Sequence, residues 1–98
     1  VKPIEYLPQH NVEIKEQEYK RVVHYIAKRY RLTRREEEIL LMLSLYGYSN
    51  EELSKTLFVS QTTVKNHIHK ILKKTRTSST RGLLSMVIDY FYTLKCII

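Results

Sequence analysis

Ninety-eight residues with two glycines, two prolines and one cysteine suffice for one modest core but offer little material for sheet turns, so the chain predicts an all-α fold. The lone Cys96 excludes an internal disulfide or a cysteine-based zinc site; it fits a reducing compartment and reads as a small apolar filler near a helix end. The net charge of +7 favours a polyanionic partner, and no apolar run approaches the ~18 residues that span a bilayer.

Pro3 and Pro8 set residues 1–10 as extended or irregular chain. The opening Val1-Lys2-Pro3, without Met and without a signal peptide, predicts a piece of a longer protein. Asn11 is placed to cap a helix running to about Tyr30, with Tyr19, Val22, Val23, Ile26 and Tyr30 on one stripe. This helix reads either as a connecting or dimer-forming helix or as one that packs on its own domain. Its stripe falls short of the three or four heptads of a coiled coil.

Leu32-Thr33-Arg34-Arg35-Glu36 opens the next helix. Thr33 and Glu36 have capping-box spacing, and Glu36, Glu37 and Glu38 complement the helix dipole. Ile39, Leu40, Met42 and Leu43 form its buried face, and Gly47 is the predicted stop. Ser49 and Glu52 repeat the capping box for a short helix from about Asn50 to Leu57, with Leu53 and Leu57 inward. A tight turn at Phe58-Val59 leads to Ser60, the cap of a third helix. Short helix, tight turn and longer basic helix make the pattern of a helix-turn-helix.

In that longer helix Val64, Ile68, Ile71 and Leu72 form a buried stripe. Lys65, Asn66, His69, Lys70, Lys73 and Lys74 lie off it. Such a face suits a DNA major groove, or is simply a solvated basic face. The charge distribution favours the groove. Val1–Glu52 holds nine basic and nine acidic residues, Leu53–Ile88 seven basic and none acidic, and Asp89–Ile98 one of each. An excess confined to one segment marks a polyanion-binding surface.

Thr75–Thr80 reads as a loop, with Ser78 or Ser79 capping a last helix to about Leu94. Leu84, Val87, Ile88 and Phe91 are its expected core stripe. Leu83, Met86, Tyr90 and Leu94 are left on an adjacent face, expected to form a homodimer interface; the alternatives are a wide buried face or one covered by the Tyr19–Tyr30 helix.

Three blocks resemble the LuxR/FixJ/GerE type of helix-turn-helix domain: Leu32-Thr33-x-Arg35-Glu36-x-Glu38-Ile39-Leu40, Gly47-x-Ser49-Asn50-x-Glu52-Leu53, and Leu57-x-Val59-Ser60-x-x-Thr63-Val64-Lys65-x-His67. The resemblance covers about Leu32 to Leu94. It implies a four-helix DNA-binding bundle, here with an extra N-terminal helix, at the C-terminus of a bacterial transcription regulator such as a response regulator. Residues 1–31 would be a linker or connecting helix and residues 32–98 the domain. Carried over by position, Lys65, Asn66 and His69 are the expected base readers. Ser60, Thr62, Thr63, Lys70, Lys73 and Lys74 are the expected phosphate contacts. Double-stranded DNA, a second copy of the chain and RNA polymerase are the implied partners. No cofactor, metal or membrane contact by this segment is implied, and the expected location is cytoplasmic, either alone or as the output domain of a longer, even membrane-anchored, protein. His67 is left between a groove role and packing within the domain.

Three departures stand out. The interval from Ile39 to Gly47 is one residue longer than the family pattern, so Leu45 or Tyr46 is expected to shift or bulge. Thr75 and Thr77 replace Leu and Val of the family pattern, and Thr80 stands where Arg is common. Region 4 of a sigma factor is the nearest rival, although it ends soon after its recognition helix. A helix-turn-helix that binds only protein is the rival of another class. An enzyme is disfavoured: there is no phosphate loop and no carboxylate pair, and His67 and His69, two apart on a helix, do not face one metal.

Overall fold

The computed structural model describes the backbone of residues 9–97 and the side chains of residues 15–94. Among the described residues five helices follow one another: α1 (Gln9–Tyr30), α2 (Arg34–Tyr46), α3 (Asn50–Leu57), α4 (Gln61–Thr75) and α5 (Thr80–Ile97). The all-α architecture stands. Residues 1–8 and the side chain of Cys96 lie outside the described residues.

The caps of α2, α3 and α4 fall where the side chains require them. Thr33 and Ser49 each accept a hydrogen bond from the N–H three residues on, and their own N–H groups donate in return to the Glu36 and Glu52 carboxylates. Ser60 accepts from the Thr63 N–H, and Ser79 from the Gly82 N–H. Gly47 takes the left-handed conformation that ends α2, a position open to glycine without steric cost.

Several expectations shift. α1 begins at Gln9, so Asn11 lies within its first turn rather than capping it. Leu45 and Tyr46 continue α2 as regular helix, so the long interval is absorbed without a bulge. Thr75 is not loop: it is buried in the last turn of α4, where its hydroxyl donates to the Ile71 carbonyl at 2.8 Å and pairs with the Thr77 hydroxyl at 3.0 Å. Internal bonding makes a polar side chain acceptable where an apolar one is usual.

α1 packs on α2 and α5, while α4 packs on α2, α3 and α5. One core joins all five helices. Val22, Val23 and Ile26 of α1 meet Ile39, Leu40 and Leu43 of α2, Leu53 of α3, Val64, Ile68 and Ile71 of α4, and Leu83 and Val87 of α5. α1 is therefore a wall of the core.

This wall changes the register of α5. Leu83 is fully buried in the core, and Met86, Tyr90 and Leu94 are half-buried against it. The Tyr30 and Tyr90 hydroxyls lie 2.8 Å apart, and Tyr19 stacks on Phe91 with centroids 4.9 Å apart. The four residues expected at a dimer interface thus face α1 and the core. Of the expected core stripe only Val87 is buried, whereas Ile88 is exposed. Positions 83, 87, 90 and 94 form the inward heptad-like row because α1 covers the side that a four-helix bundle leaves open.

Among the described residues three that are not glycine adopt left-handed backbone: Arg31, Phe58 and Arg76, with φ of 57°, 57° and 58°. Each ends a helix, and each costs about 1–2 kcal/mol relative to a relaxed conformation. Phe58 is 93 % exposed, so its ring contributes little packing. Phe58→Gly is expected to stabilise the fold by about 0.5–1 kcal/mol, relief of strain exceeding the greater chain entropy of glycine. Urea denaturation measures it; a loss of stability would mean the ring packs within the fold.

Candidate nucleic-acid interface

α4 separates an inner from an outer face. Val64, Ile68, Ile71 and Thr75 are buried. Thr62, Lys65, Asn66, His69, Lys70 and Lys73 are exposed. The side chains of these six make no hydrogen bond or ion pair among the described residues. Thr62, Asn66, His69 and Lys73 recur at 3–4-residue spacing and so share the outermost line of the helix. Lys65 and Lys70 flank it on opposite sides. Ser60 and the half-buried Thr63 stand at the N-terminus with hydroxyls 3.0 Å apart. The N-terminal N–H groups and dipole of this end suit an anion.

Lys74 behaves differently. Its Nζ donates to Glu36 Oε1 at 2.7 Å and to the Arg31 carbonyl at 3.2 Å. The ammonium expected on phosphate is engaged by a carboxylate and a carbonyl of the domain while remaining partly exposed. Sequence reading missed this tie because the two residues are far apart in the chain; the unusual pairing of a capping-box acid with burial appears only in the fold. His67 is half-buried and near enough to Glu36 to act on its charge, which favours its role within the domain.

Glu36 is 1 % exposed. Burial pushes its carboxyl up, but the Lys74 hydrogen bond, the Thr33 N–H and the Lys74 charge together outweigh burial and hold it below the ordinary carboxylate value. A carboxyl lowered in the folded state stabilises the fold above its unfolded value, near ~4.3, and loses that contribution as pH falls through the folded value.

Residues 30–87 match the family of bacterial regulatory proteins of the luxR type. The chain belongs to the LuxR family, and its helix-turn-helix is a DNA-binding domain of the kind found in transcriptional regulators. It is 41% identical over 63 residues to the transcriptional regulatory protein DegU of Brevibacillus brevis, covering 64% of this chain and 24% of that protein. It is 49% identical over 43 residues to the CsgBAC operon transcriptional regulatory protein of Escherichia coli K12, covering 44% of this chain and 19% of that one. An uncharacterized transcriptional regulatory protein of Bacillus subtilis, YxjL, is 50% identical over 42 residues, covering 43% of this chain and 19% of its own length. The chain thus spans less than a quarter of these relatives. No solved structure matches it. Among the described residues no helix is long and apolar enough to cross a membrane.

Glu36→Gln is expected to cost about 1.5–3 kcal/mol at neutral pH, the scale of a hydrogen bond to a charged group. The gap to the parent should narrow as pH falls below the ordinary carboxylate range and close only as it passes the lowered folded value, where the parent carboxyl also becomes neutral. Urea titrations at pH 7 and pH 3 check both statements.

Proposed function

We propose that this domain binds duplex DNA sequence-specifically with α4 in the major groove, as a dimer, in the control of transcription. The carrying observation is the outer face of α4, where Lys65, Asn66, His69, Lys70 and Lys73 are exposed and uncommitted while Lys74 is tied down. Asn66 presents the donor and acceptor that pair with adenine, Lys65 reaches guanine O6 and N7, and His69 extends the readout one turn on. Ser60, Thr62, Thr63, Lys70 and Lys73 take phosphate oxygens. The folding unit in this reading includes α1, since removing residues 1–31 would strip Val22, Val23 and Ile26 from the core.

The dimer face moves with the register of α5. Ile88 and Tyr92, at 47 % and 64 % exposure, lie one turn apart with the half-buried Leu84 on the same line. A second copy of the chain seated there would place two α4 helices on half-sites about 10 base pairs apart. RNA polymerase and an input signal received elsewhere in a longer chain belong to the same reading.

Asn66→Ala should cost about 1–3 kcal/mol on the best duplex selected from a random pool and relax choice at one base position. Lys73→Ala should weaken all duplexes alike and reduce the salt slope by about one. Fluorescence anisotropy against selected and scrambled duplexes reads both; an unchanged ratio for Asn66→Ala would remove it from the readers. Ile88→Glu should leave the fold intact and shift the sedimenting species toward monomer. A mass unchanged from the parent would move the dimer contact off this face.

A further inference from the structure

The C-terminal ends of α1 and α4 meet in a shallow notch of about 450 Å³ lined by Arg29, Tyr30, Arg31, Lys74, Thr75 and Arg76. Four of these six are cations. Lys74 answers Glu36 beneath the surface, whereas Arg29, Arg31 and Arg76 form no ion pair with a carboxylate among the described residues and are exposed. The Lys74 hydrogen bond to the Arg31 carbonyl fastens the two helix ends together, so the arginines are presented from a fixed base.

Two of the three left-handed non-glycine residues of the domain, Arg31 and Arg76, stand at this notch. Glycine would end either helix with less strain. Cations at helix C-termini also complement the dipole, but Lys28 and Arg29 of α1 and Lys73 and Lys74 of α4 already do so from within the last turns. Two exposed cations at positions whose backbone favours glycine, brought side by side, point to a role for their side chains.

We propose that Arg31 and Arg76, with Arg29 beside them, form a second phosphate-binding site that grips the duplex backbone outside the groove read by α4. This rests on the DNA-binding reading above. With Asn66 in the groove, Thr75 lies nine residues on, about 14 Å along the helix axis. With the helix axis inclined across the groove, that exceeds the half-width of a major groove about 12 Å wide and would carry the notch to the rim where the phosphates run. Arginine offers forked donors that match phosphate oxygens. α1 thereby adds to the DNA footprint as well as to the core.

The test uses the full chain, a fluorescent random duplex of about 30 base pairs and a salt series from ~50 to ~200 mM, a span over which phosphate contacts separate in slope. Arg31→Gly/Arg76→Gly removes both guanidinium groups while easing the backbone. Its melting temperature should equal or exceed the parent's, and its log–log salt slope should be shallower by about one to two, with affinity lowered alike on all sequences. Lys20→Gln/Lys55→Gln removes the same charge elsewhere and should leave the slope near the parent's. A folded Arg31→Gly/Arg76→Gly variant with the parent's slope would overturn the second site. So would an equal change in the Lys20/Lys55 control, which would reduce the effect to net charge. Failure of the parent itself to bind any duplex at the lowest salt would overturn the DNA-binding reading and the notch with it.

Discussion

The buried carboxylate of Glu36 is the constraint on which the arrangement depends. One oxygen, Oε1, accepts both the Thr33 N–H that starts α2 and the ammonium of Lys74 from the end of α4. The same ammonium donates to the carbonyl of Arg31, at the end of α1. Three helix ends therefore meet on two side chains. A carboxylate this buried is unfavourable unless paired, so the pairing selects one relative placement of α1, α2 and α4. Apolar packing alone tolerates sliding far better than a charge that must keep its partner.

The local signals were legible because they depend on short-range chemistry. The Thr33–Glu36 and Ser49–Glu52 boxes, the Ser60 cap and the Gly47 stop are each decided within four residues. The inner face of α4 was legible for the same reason, since Val64, Ile68 and Ile71 follow the helical period. The register of α5 was not. Its apolar residues nearly encircle the helix, and which of them turn inward depends on whether another helix covers the second side. Once α1 does so, Leu83 becomes core and Ile88 becomes surface. The tie of Lys74 to Glu36 was hidden for the same kind of reason: on a helical wheel it is one more basic residue, and only the position of Glu36 distinguishes it from Lys73.

The role of α1 follows from a comparable ambiguity. Its stripe is too short for a coiled coil, and a stripe of that length fits either a partner helix or its own domain. Val22, Val23 and Ile26 resolve it by joining the common core. The aromatic contacts extend the seam along α5, from Tyr19 on Phe91 to Tyr25 and Tyr30 around Tyr90. The His24 ring lies 3.0 Å from Glu37 and adds an exposed contact between α1 and α2. An exposed pair of this kind contributes little energy; the apolar seam is what binds the helix.

Placement of the acids completes the electrostatic logic. In the proposed DNA-binding reading, a carboxylate beside α4 would repel phosphate if it were exposed and unpaired. Glu36 is the only carboxylate, among the described residues, in ion-pair contact with a side chain of α4, and it is both buried and neutralised. Glu51 is answered by Lys55 on the surface of α3, and Glu52 accepts a hydrogen bond from the Ser49 N–H. The acid needed to position the recognition helix is thus kept out of its outward field. The outer face of α4 retains its positive charge, and the orientation of that face is set by the one negative charge beneath it.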